Sequence, residues 1–449
     1  METGPESPVR EALRLAWPAT LSLLLNAAYR VNDQWWIQDL GPDAQAALGV
    51  TTFYLILNFG LFSLLTAGTL ARIARHTGAR DRAGVRRVWR STLTLAVIWL
   101  GTLAVLGSTL SDRLVVLSGA HGEVRALAAG YLRTIYLVVP LIAWKPVVDA
   151  VFIGLGNTFV PMLLSGLAVG LNFVLNPILI FGWFGLPALG VEGAALATGL
   201  SRGIAGLAGT VMLARWFHLP PRLGVPADRR EVLTLLRIGA PVSLSTSAYA
   251  LVFLTVLKTS VEPLGRDVQA GLGVAFNGLE SLSYCGMMGP AIAASSLVGR
   301  RLGAGDPLGA RRGFTACMTA SCGFAALTML AFLVVPRGLA GLFTDDPRVL
   351  EQAALYLGVV AWSQVATAAD GVLQQSLAGA GRTLAMSSLN LGGYVLRIPL
   401  ARFLSMTQGW GAAGVWWALN LSNYLKLVAM ILLFRRLRLF AAPPQRAPA

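Results

Sequence analysis

Ionisable side chains that interrupt long apolar stretches are the residues of this chain most able to do chemistry. Asp33 is the first of them, and it lies fifteen residues after Pro18 in a run that is otherwise largely apolar. A charge at such a position costs ~2.5–3.5 kcal/mol on membrane-insertion scales, so it is a functional candidate by default. A carboxylate in a low dielectric can bind a proton or attract a cation, and it can exchange one for the other.

Arg30 offers a second interpretation of Asp33. It precedes Asp33 by three residues, so the two side chains could meet on one helix face. Buried charges are usually paired, and a static Arg30–Asp33 pair would resist protonation. In that case any exchange of ions would depend on other residues.

The second half of the chain contains such residues. Glu280 and Asp370 are acids within apolar stretches, and Lys258 is a base near the end of another. Asp370 is either functional or the partner of Arg397 or Lys258, because charges inside a membrane tend to pair. Lys145 and Asp149 are spaced i, i+4 and are predicted to form a structural pair on one helix face.

Aromatic, amide and sulfur side chains in the same stretches could line a cavity for apolar cations through cation–π contacts and adaptable thioethers. The alternative is that they pack in the core or form an interfacial aromatic belt. The candidate substrate-binding residues are Tyr29, Tyr249, Tyr284, Met287, Gln374, Trp417 and Asn420.

The elements that must position these residues are transmembrane helices. The chain is 55% hydrophobic and 13% charged, and its apolar runs are long enough to cross a bilayer, which takes about 20 residues per helix. The sequence therefore predicts an all-α polytopic membrane protein. The twelve predicted spans are 12–38, 45–71, 91–110, 126–154, 160–183, 189–215, 232–259, 270–299, 313–336, 350–378, 384–406 and 411–435.

An internal repeat groups these spans into two lobes. Residues 78–87 return as residues 303–312 with six identities in ten, at an offset of 225. Six spans per copy is an even number, so each copy begins on the same side and the repeats are parallel. We predict a six-helix lobe at 1–215, a cytoplasmic linker at 216–231 and a second six-helix lobe at 232–449.

The distribution of arginine predicts the orientation. With the N-terminus inside the cell, 23 arginines fall in cytoplasmic segments and five in the opposite loops. Both termini are therefore predicted to be cytoplasmic, in a multi-pass protein of the cell membrane with no cleavable signal. The net charge of +15 is spread over alternate loops and forms no single patch, which argues against a nucleic-acid partner.

Enzyme signatures are missing from the sequence. It has no Gly-Lys-Ser/Thr phosphate loop and no His-Glu-x-x-His, and only three histidines. We therefore expect neither catalysis nor a cofactor, and any transport must draw on an ion gradient or on the gradient of the substrate. Three cysteines lie in predicted helices and are interpreted as packing residues.

Several segments, in order along both halves, carry a resemblance to the multidrug and toxic compound extrusion (MATE) family of secondary transporters. They are residues 18–33, 40–41, 172, 176–182, 190–198, 280–282, 297–306, 379–383 and 397–400. The resemblance implies a V-shaped twelve-helix bundle that exports bulky, often cationic amphipaths in exchange for protons or sodium ions.

The resemblance also assigns a site. It makes Asp33 the carboxylate of the amino-terminal lobe, with Asn172, Asn176 and Thr198 as the polar residues around it and Na⁺ as one possible ligand. Glu280 ranks second, because it lies in a matching segment. Position 176 is commonly aspartate in relatives, so this chain has one negative charge fewer there. Since sodium prefers more negative, oxygen-rich ligation, we expect protons to be the coupling ion.

Two other functions remain as alternatives. One is a flippase for lipid-linked oligosaccharides, which would show a strongly cationic cavity and often more than twelve helices. The other is a membrane-embedded enzyme or a non-transporting receptor, which would need clustered His/Asp or Ser/Lys catalytic groups at membrane depth, and the sequence shows no such cluster. We expect the partners to be small-molecule substrates, H⁺ or Na⁺ and the lipid bilayer, and the protein to be a monomer.

Overall fold

A computed structural model describes residues 7–118, 120–221 and 227–441, and every regular element in these ranges is helical. This follows from composition, because a backbone in lipid must satisfy its N–H and C=O groups within its own segment. The predicted linker covers residues 216–231, and its residues 222–226 lie outside the described ranges.

The first half of the chain forms seven helices. Between α4 and α5 the axis bends by 51°, and Pro140 occupies the first turn of α5, where a missing N–H is tolerated. The helices are α1 Pro8–Ile37, α2 Pro42–Gly78, α3 Arg82–Leu117, α4 Gly122–Leu137, α5 Val139–Gly154, α6 Phe159–Phe181 and α7 Gly190–Trp216.

The second half is more interrupted. Three π-helical segments, Leu257–Val261, Gly273–Glu280 and Phe403–Thr407, join neighbouring α-helices. Such π segments are often found at functional sites. The helices are α8 Arg229–Val256, α9 Arg266–Leu272, α10 Ser281–Gly303, α11 Pro307–Val334, α12 Pro336–Ala340, α13 Pro347–Val360, α14 Gln364–Gly379, α15 Thr383–Val395, α16 Arg397–Arg402 and α17 Gly411–Leu437.

Each predicted span coincides with one helix or with a series of helices. By length and composition, seven helices of the described chain could cross a membrane, or eight if α4 and α5 count as one bent span. The other predicted spans lie in α1, which carries polar residues through its middle, and in series such as α9 to α10 and α13 to α14. In such a series, the residues of one predicted span are divided between consecutive helices.

The chain forms two compact units. One contains residues 1–20, 74–82 and 251–449, and the other contains 21–73 and 83–250. We call them the C-unit and the N-unit. The first turns of α1 thus belong to the C-unit and the rest of α1 to the N-unit, while most of α8 belongs to the N-unit. The predicted lobe boundary within 216–231 stays a prediction.

Close helix approach in each unit depends on glycine. In the N-unit, a Cβ on Gly68 of α2 would lie 2.6 Å from the carbonyl oxygen of Leu235 in α8. In the C-unit, Gly379 of α14 is packed even more closely against the backbone of Ser295 in α10. Small residues let membrane helices pack backbone to backbone, which fixes the positions of the polar side chains they carry.

Candidate functional site

Asp33 lies in a cluster of neutral hydrogen-bond donors in the N-unit. Asn176 Nδ2 of α6 donates to Asp33 Oδ1 at 2.9 Å, and Thr198 Oγ1 of α7 donates to Oδ2 at 3.3 Å. Three helices thus bring together residues that are up to 165 positions apart in the chain. The structure places Asp33, Asn172, Asn176 and Thr198 in one cluster.

The two asparagines of α6 extend this cluster. Asn172 and Asn176 are spaced i, i+4, so both side chains lie on the same helix face, and both are fully buried. Asn32 Nδ2 donates to Asn172 Oδ1 at 2.6 Å, and Trp36 Nε1 donates to Asn32 Oδ1 at 3.1 Å. The amides are held by one another, so the donors around Asp33 have fixed positions.

Tyr29, Ser201 and Arg202 complete the cluster. The Tyr29 hydroxyl lies 2.5 Å from Ser201 Oγ, and the Arg202 guanidinium carbon lies 4.7 Å from the centroid of the Tyr29 ring. Tyr29 was among the predicted substrate-binding residues, whereas neither Ser201 nor Arg202 was predicted as a site residue. Arg202 could have been found by the rule that identified Asp33, because it is a charge in the middle of an apolar span.

Arg30 is exposed, and no ion pair joins it to Asp33 in the part of the chain that the structure describes. The interpretation of the two residues as a static buried pair is therefore wrong. Consecutive helix residues are rotated by about 100°, so a separation of three residues allows contact without requiring it. The carboxylate of Asp33 is thus occupied by neutral donors rather than by a cation.

The predicted pair of Lys145 and Asp149 in α5 is confirmed. Lys145 Nζ lies 2.6 Å from Asp149 Oδ2 and also donates to Ser165 Oγ at 2.9 Å. Ser165 in turn lies 2.8 Å from the Ser22 hydroxyl of α1. Through these two serines, the ion pair of α5 is connected to α6 and α1.

A second acidic site lies in the C-unit at Glu280, the last residue of a π-helical segment. The Tyr356 hydroxyl of α13 donates to Glu280 Oε2. The Tyr356 ring packs edge-on against Trp416 of α17, with centroids 4.8 Å apart, and both rings are buried. Glu280 at the end of the π segment thus contacts a buried aromatic pair.

Asp370 of α14 is paired with Lys426 of α17, whose Nζ lies 2.8 Å from Asp370 Oδ2. Our prediction of Arg397 or Lys258 as its partner is corrected to Lys426. Arg397 instead donates to Ser422 Oγ at 2.9 Å and to Asn423 Oδ1 at 2.7 Å, and Lys258 is exposed. The partner of Asp370 depends on how α17 packs against α14, and this packing cannot be predicted from the spacing of residues in the sequence.

Gln374 belongs to the same group. Its Nε2 donates to Asp370 Oδ2 at 2.5 Å, and its Oε1 accepts from Asn390 Nδ2 of α15 at 2.8 Å. Asn420 is fully buried and donates to the Val359 carbonyl at 2.6 Å, so its amide is engaged with the backbone.

The remaining candidate substrate-binding residues do not form one group. Met287 is buried inside the C-unit, whereas Tyr284 and Trp417 are exposed at 50% and 38%. Tyr249 is partly buried in the N-unit. Across the described chain, no three His, Cys, Asp or Glu side chains are grouped in a way that could hold a metal ion.

These features define a class of protein: an all-helical membrane protein built from a repeated six-helix unit, with carboxylates on the helices of each half, of which Asp33 and Glu280 are partly buried. A sequence profile of the MatE family matches residues 18–178 and 241–403, one match in each half of the chain. The chain belongs to the MatE family. It is a membrane transporter of small molecules and not an enzyme.

Known proteins agree with this assignment over nearly the full length. The chain is 30% identical to a probable multidrug resistance protein NorM of Mesorhizobium japonicum, covering 96% of this chain and 94% of the relative. It is 28% identical to the protein of the same description from Thermotoga maritima, over 91% and 88% of the two chains.

The fold is similar to that of a solved structure described as the outward-facing conformation of a multidrug resistance MATE family transporter. The TM-score is 0.88 at 24% identity, covering 97% of this chain and 96% of the other. The prediction of twelve transmembrane helices in two homologous six-helix lobes is confirmed.

Proposed function

We propose that this protein is a secondary active antiporter of the cell membrane that exports amphipathic, cationic organic compounds in exchange for protons. The observation that carries the proposal is the environment of Asp33. Its two carboxylate oxygens accept hydrogen bonds from Asn176 and Thr198, and no ion pair to Asp33 is found among the described residues. An unpaired carboxylate at this depth can bind either a proton or an organic cation.

The neutral donors support protons over sodium. Hard cations are held by several oxygen ligands, whereas a proton needs only the carboxylate. Position 176 is asparagine, and its Nδ2 faces Asp33, so it adds an N–H donor where a second oxygen would be needed. Asn172, Asn176 and Thr198 cannot titrate, which leaves Asp33 as the group of this cluster whose charge a proton gradient can change.

The names of the relatives support the substrate class. Those in Mesorhizobium japonicum and Thermotoga maritima are described as probable multidrug resistance proteins. We place both termini in the cytoplasm, because this orientation puts 23 arginines inside and five outside. We propose a monomer as the working unit.

Flux in proteoliposomes with separately imposed pH and sodium gradients tests the proposal. A gradient of two pH units supplies about 2.7 kcal/mol per proton, enough for about a 100-fold substrate ratio at one-for-one exchange. We expect wild-type protein to concentrate a cationic dye under the pH gradient without sodium. Asp33→Asn should only equilibrate the dye, since a site of constant charge gives the gradient nothing to act on.

Asp39→Asn is the matched control, because Asp39 is an exposed carboxylate six residues further along the chain. It should transport like the wild type. Undiminished gradient-driven transport by Asp33→Asn would move the coupling site to Glu280 or Asp370. A strict requirement for sodium would overturn the choice of ion.

A further inference from the structure

A basic cavity of about 300 Å³ lies between the start of α3 and the end of α7, within the N-unit. This volume is at the lower end of the range of about 300–1,000 Å³ for small-molecule sites. Arg86, Trp89 and Arg90 line the cavity from α3, and Ala214 and residues 218–220 line it from α7 and the segment that follows. Because Arg86 and Arg90 are about one helical turn apart, both lie on the face of α3 that borders the cavity.

The chain turns sharply after α7, and this turn places His218 at the cavity. The N–H groups of Phe217 and Leu219 both donate to the Leu213 carbonyl, at 3.2 and 3.1 Å. His218 between them has a φ of 54°, a left-handed conformation in which histidine is more frequent than most other side chains. Leu219 is buried, so the turn is anchored in the core and the backbone of His218 is held beside the two arginines.

The lining of the cavity is basic. Of the seven described residues that line it, two are arginines, one is histidine and the other four carry no charge. Arg90 is partly buried and forms no ion pair with any residue that the structure describes. An anion in this cavity therefore meets guanidinium groups without a competing carboxylate in the lining. Arginine holds such anions through two parallel hydrogen bonds.

Trp89 adds an unused donor to the wall of the cavity. Its side chain is only 1% exposed, and its Nε1 has no hydrogen-bond acceptor among the described residues. The neighbouring Trp144, whose ring centroid lies 6.1 Å away, instead donates from Nε1 to Thr210 Oγ1 at 2.9 Å. Buried tryptophan N–H groups usually have an acceptor. The N–H of Trp89 is thus available to an acceptor oxygen of a bound ligand.

By the predicted spans, the cavity lies at the depth of the lipid headgroups. One span begins at residue 91 in α3 and another ends at residue 215 in α7, so Arg90 and His218 lie just outside the ends of two spans. On the proposed orientation this is the cytoplasmic face, where anionic lipids are concentrated and basic pockets between membrane helices bind lipid headgroups. Tryptophan is also enriched at this interface.

We propose that this cavity binds a phosphate monoester, carried either by a lipid such as phosphatidic acid or by a free phosphate ester. A phosphate monoester presents three acceptor oxygens, enough for donors from Trp89, Arg90 and His218 at once, whereas a carboxylate presents two. A phosphate site here is independent of the exported compound and of the coupling ion. Only its placement in the cytoplasm uses the proposed orientation.

Two lipids that differ only in the phosphate test the proposal. One is phosphatidic acid, and the other is the diacylglycerol with the same acyl chains. Native mass spectrometry of the purified full-length protein resolves each bound lipid, so a titration in a volatile buffer of about 0.15 M ionic strength measures both affinities. We expect the wild type to bind phosphatidic acid at least about tenfold more strongly than diacylglycerol, the size of one hydrogen bond to a charged group.

Arg90→Gln should weaken the binding of phosphatidic acid by about 10- to 100-fold and leave that of diacylglycerol within about threefold, because diacylglycerol has no group that depends on the guanidinium. Arg90→Lys keeps the charge without the planar pair of donors, so it should lose less affinity. Arg215→Gln is the matched control, because it removes the same charge from an exposed arginine of α7 that does not line the cavity. It should change the affinity for phosphatidic acid by less than about threefold.

Competition by a millimolar excess of glycerol 3-phosphate distinguishes the two sources of the phosphate. If it displaces phosphatidic acid, the site accepts free phosphate esters as well as the lipid. If phosphatidic acid stays bound, the acyl chains contribute to binding and the ligand is the lipid. Either result supports a phosphate site.

Equal binding of the two lipids by the wild type would overturn the proposal, and this comparison does not depend on how a variant folds. Equal losses in Arg90→Gln and Arg215→Gln would overturn it as well, since they would show a diffuse attraction to the basic surface. An unchanged affinity of Arg90→Gln for phosphatidic acid would have the same consequence.

Discussion

Replacing Lys426 by methionine should destabilise the C-unit strongly, because it leaves Asp370 buried without its cation. Their side chains are 8% and 6% exposed, and Lys426 Nζ lies 2.8 Å from Asp370 Oδ2. The other carboxylate oxygen, Oδ1, is buried without a hydrogen-bond partner. After the substitution, the carboxylate would keep only the hydrogen bond from Gln374.

Breaking a buried ion pair by removing one partner costs about 3–5 kcal/mol, whereas replacing both partners is often close to neutral. At about 2–4 °C per kcal/mol for a unit of roughly 200 residues, Lys426→Met should lower the midpoint of thermal unfolding by about 6–20 °C. Asp370→Asn should cost a similar amount. The double variant should recover most of the loss, giving a coupling energy of about 3 kcal/mol or more.

These four proteins form a double-mutant cycle, which is measured by thermal unfolding of the purified wild type, both single variants and the double variant. Additive effects, or single losses below about 1 kcal/mol, would refute the view that the two charges depend on each other. The double variant also separates structure from transport. If it is stable and still couples transport to the proton gradient, Asp370 has no part in coupling.

Two further predictions concern packing and topology. Gly379→Ala should destabilise by about 1–3 kcal/mol in thermal unfolding, because the new Cβ would lie 2.8 Å from the carbonyl carbon of Ser295. Gly392→Ala adds its methyl group where nothing lies within 4 Å, and should be neutral or stabilising; equal effects of the two changes would contradict the packing argument. Asp228→Cys, in a background with the native cysteines replaced by serine, should be labelled only from the cytoplasmic side. Labelling of this cysteine in intact cells by a reagent that cannot cross the membrane would contradict the predicted topology.

The architecture of this protein could be predicted from its amino-acid sequence alone. Hydrophobic runs of membrane-spanning length are a property of composition, and the repeat at an offset of 225 is visible in the letters alone. The grouping of Asp33 with Asn172, Asn176 and Thr198 was also predictable, but only through resemblance to a family, because nothing in their spacing places three different helices together. The Lys145–Asp149 pair was predictable for a local reason, since one turn of helix separates the two residues.

Which charged side chains meet across different helices depends on tertiary packing and could not be predicted from the sequence. Asp370 could have been paired with any of several cations, and the packing of α14 against α17 selected Lys426. Helix packing also leaves Arg30 exposed and places Arg202 against the ring of Tyr29. In the sequence, however, Arg30 is much closer to Asp33 than Arg202 is. The physical reason is that helix geometry fixes contacts only within about four residues. Beyond that range, the helix faces that pack together determine the partner of each charge.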